Sequence, residues 1–442
     1  MKFEQRKIKV RYTLIALFLF AFGNNSCKKD SGISTAGEQI EWMHVLDENI
    51  SGITEDDTFL GQNGKVLTDS EDNIYLYYYS EFPKQAVVMK CDPTGTLVWK
   101  KSFPDCIPMD MVRRNDGSIV LAVRDLPGYE QIFVLYVVLP NGTVNLHGVV
   151  QTSTGGSDGV LSATMCVLPD DGLIISGVYL QSFLVGFPLS QESFVVKLNP
   201  SYGKDWAVLT AFNISQQAKP SYEQNSVVPL PGGKFLAEFS FKGNKIQADS
   251  VSYGILRGVI NADSVDYESY IIDQTGYEVQ SSGTKSGYYN QYGGRLLEDG
   301  FGEWIYHYSG AVSLLTGLPL GSDVVNGFIR MNNEGAILDT IPMPLPIGYR
   351  VLSCTRGKGN FLLTAYKKGT VDVTSDYSAF QTLFLTGDGG WQTSKSFSFQ
   401  EFYSDFFPST AATSDGGFII MGKIQSFSGP NNKLVLIKWK DN

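Results

Sequence analysis

The sequence predicts an all-β fold. Glycine accounts for 46 of the 442 residues and aromatic residues for 13% of the chain, and charged residues make up 18%, below the roughly 25% of an average soluble protein. Short apolar segments alternate with turns of Gly, Asp, Asn and Pro, a pattern typical of strands joined by tight connections. With 43% hydrophobic residues, the bulk of the chain can bury a core and is not expected to be disordered.

Length and charge set two further limits. A chain of 442 residues would suggest two or three domains at roughly 100 to 200 residues each. The formal net charge is -10. A nucleic-acid partner needs clustered Lys and Arg to displace counterions, so we expect no nucleic-acid binding.

Residues 1–26 are predicted to form a signal peptide. Five basic residues and one acid precede an apolar run of 11 residues from Thr13 to Gly23. This length fits the apolar region of a secretory signal, about 7 to 15 residues, and falls short of the roughly 20 residues that a membrane-spanning helix needs.

Cys27 directly follows this segment. With Ser26 before it and Lys28–Asp30 after it, it resembles the lipobox of bacterial lipoproteins, in particular those of the Bacteroidetes group. Asn24 and Asn25 depart from the family pattern, which usually has Leu and a small residue there. The resemblance implies cleavage before Cys27, lipid attachment (palmitate) to it, and anchoring in the outer membrane, facing the periplasm or the cell surface. Ordinary signal cleavage near Ser26, with Cys27 incidental, is the alternative.

Residues 39–442 contain a repeated unit, and residues 27–38, rich in Ser, Gly and charge, form a tether before it. The clearest copy, Ser414–Gly422, is a turn followed by an apolar strand. A second strand follows each copy, as in Phe194–Pro200, and then a turn with Pro, Asn or Gly. One residue marks the turn of each unit: Asn73, Gly117, Gly172, Gly233, Gly300, Gly359 and Gly417.

Each unit is read as four strands with two tight turns and one variable loop. Four strands in roughly 40 to 60 residues, repeated several times, are typical of a β-propeller blade. We predict seven four-stranded blades, with six or eight as alternatives because the fourth to sixth units are degenerate. The last unit ends after its third strand, and Gln39–Leu46 resembles a fourth strand, so the N-terminal strand is expected to close the last blade.

The motifs resemble the repeat propellers of Bacteroidetes lipoproteins, with a kelch-like or quinoprotein-like layout. In that architecture the loops between strands two and three and between blades share one face, and these are expected to be the long loops here. Functional residues gather on loops held by a rigid scaffold. Two such stretches are rich in aromatic residues that suit a sugar or a protein partner, although packing between blades is the alternative for any one ring. The candidate ligand-binding residues are Tyr277, Tyr288, Tyr289, Tyr292, Phe402 and Tyr403.

Arg295 and Arg350 are further candidates. They are predicted near the long-loop ends of two neighbouring innermost strands, where together they could bind a carboxylate. Pairing with local acids is the alternative in a net-acidic chain.

Catalytic and metal-binding motifs were not found in the sequence. The three histidines, His44, His147 and His307, have no second His or Cys at metal-ligand spacing, so we predict no metal, no cofactor and no catalytic residues. Cys91 and Cys106 are predicted on opposite faces of a blade, too far apart for a disulfide.

These observations favour a lipid-anchored propeller that binds a glycan or an envelope protein without transforming it. The first alternative is a glycoside hydrolase or lyase that acts on an acidic glycan. The second is a structural subunit of a surface complex.

Overall fold

The fold is described from a computed structural model. The described residues are 40–50, 64–81, 83–125, 132–151, 159–181, 190–210, 221–230, 234–247, 250–261, 267–273, 277–279, 292–298, 304–311, 324–331, 337–342, 349–358, 361–367, 377–385, 391–399, 409–425 and 432–440. In them no helix is long and apolar enough to span a membrane.

The described strands form seven antiparallel sheets, which we number as blades in chain order. Blade 1 consists of β2 (Gly64–Thr68), β3 (Ile74–Glu81), β4 (Lys84–Cys91) and β5 (Leu97–Pro104). Blade 2 consists of β6 (Cys106–Arg113), β7 (Ile119–Asp125), β8 (Ile132–Val138) and β9 (Val144–Gln151). Blade 3 consists of β10 (Gly159–Val167), β11 (Leu173–Gln181), β12 (Ser190–Leu198) and β13 (Lys204–Thr210).

Blades 4 to 6 follow the same order. Blade 4 consists of β14 (Ser221–Leu230), β15 (Lys234–Gln247), β16 (Ser250–Asn261) and β17 (Tyr267–Asp273), with β18 (Tyr277–Val279) also paired to β16. Blade 5 consists of β19 (Tyr292–Glu298), β20 (Trp304–Ala311), β21 (Val324–Met331) and β22 (Ile337–Pro342). Blade 6 consists of β23 (Tyr349–Arg356), β24 (Phe361–Lys367), β25 (Tyr377–Leu385) and β26 (Trp391–Phe399).

Blade 7 combines both ends of the chain. Its strands are β27 (Ser409–Ala412), β28 (Phe418–Gln425), β29 (Asn432–Trp439) and β1 (Ile40–Ile50), with β1 as the outer strand. The antiparallel pairing of β1 with β29 runs from Ile40 opposite Trp439 to Ile50 opposite Asn432.

The first strand of each blade contacts the first strand of the next. These contacts run from β2 through β6, β10, β14, β19, β23 and β27, and return from β27 to β2. A closed ring of innermost strands is the arrangement of a β-propeller, so the predicted fold class is confirmed. Residues 39–442 form one compact unit.

The core lies between adjacent blades. Between blades 7 and 1, buried residues from β2, β3 and β4 pack against buried residues from β27, β28 and β29. Tyr75 and Tyr77 of β3 face the other way and pack against β6, β7 and β8 in blade 2. Successive side chains along a strand point to opposite faces of the sheet and therefore pack against two different blades. Both faces are buried, which is why these strands are almost continuously apolar.

An aromatic residue of an outer strand covers the turn of the following blade. Trp42 and His44 of β1 lie over Gly95 of blade 1, where an added Cβ would come within 2.5 Å of His44 Cδ2. His44 Nε2 also lies 2.9 Å from Thr94 O. Trp99 of β5 repeats this arrangement in blade 2, where its Nε1 donates to Pro140 O over 3.1 Å. Gly95 also has a φ of +83°, so the turn depends on glycine for two reasons.

A second inter-blade contact lies in the turns between first and second strands. Asp72 of blade 1 occupies the left-handed region at φ 61°, the position that Gly416 fills in blade 7. Its carboxylate accepts hydrogen bonds from Ser414 N and Ser414 Oγ of blade 7, both at 2.7 Å. Asp171 of blade 3, at φ 67°, accepts in the same way from Asn115 N of blade 2 at 3.0 Å. The left-handed backbone thus aims a carboxylate at the preceding blade.

The four cysteines in the described part of the chain, Cys91, Cys106, Cys166 and Cys354, are buried, and no disulfide joins them. Burial and the nearby Asp92 raise the pKa of the Cys91 thiol to about 11, and burial raises that of Cys166 to about 12. At neutral pH these groups are therefore thiols, as expected of small residues in a core.

Replacing Asp72 with Ala should weaken the junction between blades 7 and 1. The change removes both hydrogen bonds to Ser414 and leaves a Cβ in the left-handed region, so the free energy of unfolding should fall by about 1 to 3 kcal/mol. Asp72→Gly should cost less, because glycine adopts this backbone without strain. Urea titration of the two variants measures both values; equal stability of wild type and Asp72→Ala would contradict the contact.

Candidate functional site

The antiparallel topology gives the ring two unlike ends. Each innermost strand begins at the end where the chain arrives from the previous blade, and the connection between strands two and three lies at that same end. We call it the long-loop end. The turns that contain Asp72, Gly95 and Asp171 lie at the opposite end, the tight-turn end.

The length of the connections between strands two and three varies more than the sequence suggested. In blade 1 the register places Glu81 opposite Lys84, so only two residues join β3 to β4. In blade 4 two residues join β15 to β16, but both strands are unusually long. The expectation that these connections are long loops is therefore wrong for blades 1 and 4.

A buried ion pair ties together three innermost strands. Lys65 Nζ of β2 lies 2.6 Å from Asp110 Oδ1 of β6 and donates to Met111 O over 2.7 Å. The second carboxylate oxygen, Asp110 Oδ2, accepts from Met165 N of β10 at 2.7 Å. Lys65 and Asp110 are only 5% and 3% exposed. A buried charge is tolerated when it is paired and hydrogen-bonded, and here one carboxylate satisfies donors from the blades on both sides of it.

β-Bulges interrupt the innermost strands of blades 2 to 6. The extra residue is Met109 in β6, Leu161 in β10, Glu223 in β14 and Leu352 in β23, and in β19 the shift spans Gly294 and Arg295. Bulges bend a strand and re-aim a residue, and they are frequent next to active sites. Two of the five bulged strands therefore place a charged residue, Glu223 or Arg295, outside the regular pairing.

Acidic residues are rare on the seven innermost strands as described. Asp110, Glu223 and Glu298 are the three that these strands contain. Asp110 is engaged by Lys65 and Met165 N. Glu298 is the last residue of β19, at the tight-turn end. Glu223 is the third residue of β14, close to the long-loop end, which makes it the inner-strand acid best placed for chemistry there.

In blade 4, β15 and β16 extend beyond β14 and β17 at the long-loop end. β14 pairs with β15 as far as Ser221 opposite Lys242, and β17 pairs with β16 as far as Ile255 opposite Asp273. Beyond these pairs β15 and β16 continue together to Gln247 opposite Ser250. We call residues 243–247 and 250–254 the blade 4 extension.

The short strand β18 adds a third strand to this extension, because it pairs with Ser250–Ser252. The predicted candidate Tyr277 begins β18 and lies opposite Ser252. The extension and the bulge at Glu223 belong to the same sheet.

The other predicted site residues fall in three groups. Tyr292 is the first residue of β19, and Arg295 lies in the same strand. Arg350 is the second residue of β23, and β19 and β23 are neighbouring innermost strands. Cys27, Tyr288, Tyr289, Phe402 and Tyr403 lie outside the described residues. A joint site of these residues stays a prediction.

Sequence reasoning did not single out Glu223 or the extension. The 67 residues between Gly233 and Gly300, the longest spacing of the repeat, were the available signal for the extension. No sequence signal marks the bulge at Glu223, because a bulge is a matter of register between two strands. In the described parts of the chain, no group of three or more His, Cys, Asp or Glu residues could hold a metal ion.

Comparison with known proteins gives structural matches only. No protein-family model matches the chain, and no curated protein matches it. An α-L-arabinanase of Penicillium chrysogenum complexed with arabinobiose is 12% identical, with a TM-score of 0.43 over 75% of this chain and 92% of the enzyme. The GH93 α-L-arabinofuranosidase of Fusarium graminearum with arabinobiose is 11% identical, with a TM-score of 0.44 over 88% of this chain and 95% of the enzyme.

Another match is the extracellular region of plexin A4, which is 10% identical with a TM-score of 0.48 over 88% of this chain and 47% of plexin. Glycoside hydrolases recur among the matched structures. This finding contradicts the prediction of a non-catalytic binding module.

Replacing Lys65 with Met should destabilise the ring strongly. The change leaves the Asp110 carboxylate buried with one backbone donor, and breaking a buried pair in this way typically costs about 3 to 5 kcal/mol. The double variant Lys65→Met/Asp110→Asn should recover much of the loss, because no unpaired charge remains. Chemical denaturation measures the free energy of unfolding of the wild type and the two variants. A Lys65→Met value within about 0.5 kcal/mol of wild type would show that the ion pair does not stabilise the fold.

Proposed function

We propose that the protein is a glycoside hydrolase and that Glu223 is a catalytic carboxyl group. The observation that carries the proposal is the position of Glu223, an acid on an innermost strand, in a bulge, near the long-loop end. Asp110 is buried and saturated by Lys65 and Met165 N, so it is less suited to exchange protons with a substrate.

Glycoside hydrolysis normally uses two carboxyl groups on either side of the scissile bond. One protonates the leaving oxygen, and the other acts as a base or nucleophile. In this proposal Glu223 supplies one of them. The sequence offers further acids shortly before innermost strands, with Glu55, Asp56 and Asp57 before β2 and Asp405 before β27.

Arg295 and Arg350 fit this proposal as groups that orient the sugar. They lie on the innermost strands that follow β14 around the ring, β19 and β23. A guanidinium group donates to hydroxyl or carboxylate oxygens in a fixed geometry. Tyr292, the first residue of β19 at the same end, would supply a ring for the face of the cleaved sugar.

Replacing Glu223 with Gln should abolish turnover with little change in stability. Removing a general acid or base costs about 10² to 10⁴ in rate. Glu298→Gln, on an innermost strand at the tight-turn end, is the matched control and should keep activity within about twofold of wild type. The assay is release of reducing sugar or nitrophenol from a panel of arabino- and galacto-oligosaccharides and aryl glycosides, beginning with arabinobiose, the sugar bound in two of the matched enzymes.

Two outcomes would overturn the proposal. The first is full activity of Glu223→Gln. The second is the absence of hydrolysis of every member of the panel by the wild-type protein.

We also propose that the enzyme is held at the outer membrane by lipid on Cys27. The support is the apolar run Thr13–Gly23 followed by Ser26-Cys27, with residues 28–38 as a tether to β1. Such an anchor would keep the hydrolase near glycans that reach the cell envelope.

Replacing Cys27 with Ser should release the protein from the membrane. The change removes the sulfur to which the lipid would be attached, so metabolic labelling with palmitate should disappear and the protein should leave the detergent phase of a Triton X-114 partition. Lys28→Ala keeps the thiol and serves as the control. Persistent palmitate labelling of Cys27→Ser would rule out this attachment site.

A further inference from the structure

We infer that the blade 4 extension, a three-stranded projection that rises from the sheet of Glu223 at the long-loop end, binds a neutral glycan chain beyond the sugar that is cleaved. The inference rests on the proposed hydrolase function, because it assigns the extension to the same substrate.

Backbone pairing between three strands holds the extension together. Lys245 lies opposite Val251, and Gln247 lies opposite Ser250. On the far side of β16, Val251 pairs with Glu278 and Ser252 with Tyr277 of β18. A hairpin of two strands is marginal in water, and the third strand gives it the support that a rigid binding surface needs.

A blade of this ring can form without such a projection, as blade 1 does. In blade 1 the equivalent hairpin closes with a two-residue connection between Glu81 and Lys84. The blade 1 hairpin ends level with its sheet, because Gln85 of β4 already pairs with Pro104 of β5. Ordering the additional residues of blade 4 costs about 1 to 2 kcal/mol of backbone entropy per residue, so the extension needs a role other than ring formation.

The extension begins a short distance along the sheet from Glu223. The bulge places Glu223 between Tyr222, opposite Phe241, and Gln224, opposite Ser240. The extension begins at residue 243, about two to three residues farther along β15. At about 3.3 Å per residue, its base lies roughly 7 to 10 Å along the strand from the bulge, which is the size of one or two sugar rings.

The composition of the extension indicates the ligand class. It contains Asn244, Gln247, Tyr253 and, in β18, Tyr277, the amide and phenol groups that bind sugar hydroxyls and sugar faces. Its charged residues are Lys245 and, in β18, Glu278, which give it no excess of positive charge. A polyanionic chain needs such an excess, so a neutral polysaccharide is the ligand that this surface fits.

The experiment shortens the extension to the length of the blade 1 hairpin. Residues 243–252 are replaced by Asn-Gly, so that Lys242 and Tyr253, which already pair, flank a two-residue turn of the type preferred in hairpins. Affinity electrophoresis then measures binding to linear arabinan, galactan and polygalacturonate, in a Glu223→Gln background that does not cleave the polymer.

We expect the shortened protein to bind the neutral polymer about tenfold more weakly or worse than Glu223→Gln alone. In the active background, the KM for the polymer should rise by a similar factor, and kcat/KM for a small aryl glycoside should stay within about threefold. Tyr277→Ala is the second variant, because it leaves the hairpin intact; it should weaken polymer binding without changing the melting temperature.

Unchanged polymer binding by both variants would overturn the inference. Wild-type binding of polygalacturonate in preference to arabinan and galactan, or of no polymer, would overturn it as well. These results are distinct from failure of the proposed function, which would appear as activity that survives Glu223→Gln and would not depend on the extension.

Discussion

Closure of the ring by β1 and β29 is the constraint on which the other contacts depend. The pairing joins residues at opposite ends of the domain, so it must overcome the entropy of closing a loop of nearly the whole domain. It also places Trp42 and His44 over Gly95, and it covers an edge of β29 that would otherwise be exposed. With the ring closed, every innermost strand has a neighbouring innermost strand on both sides, and the apolar residues between blades 7, 1, 2 and 3 are buried.

The two ends of the ring respond to this constraint differently. At the tight-turn end, the carboxylates of Asp72 and Asp171 accept hydrogen bonds from the preceding blade. Asp415 is also engaged at this end, but within blade 7. Burial opposes its ionisation, but hydrogen bonds from Thr413, Lys438 and Gly417 N outweigh burial and lower its pKa to about 2. The blade 4 extension lies at the long-loop end, away from these contacts, and so does not interfere with the closure of the ring.

The sequence was sufficient for the fold because the repeat is local. Turn residues such as Gly117 and the strands after them can be recognised within a few residues, and Gln39–Leu46 resembles a fourth strand whose partner is missing at the other end. The site was harder to predict because it depends on register. Neither the bulge at Glu223 nor the partner of Tyr277 follows from the order of residues, since each is set by the strand alongside. Arg295 and Arg350 lie on neighbouring innermost strands, a placement that needs the order of strands but not their register, and their joint role stays a prediction.

The position of β1 has a mechanical consequence. If the chain is anchored through Cys27, any force between the membrane and a glycan held by the propeller reaches the domain at Ile40, the residue of β1 paired with Trp439. The hydrogen bonds of an antiparallel ladder lie perpendicular to the strands. A pull along β1 is therefore shared by the whole ladder, whereas a pull across it would open the ladder one pair at a time. The direction in which force acts on β1 would then decide how much tension the domain withstands.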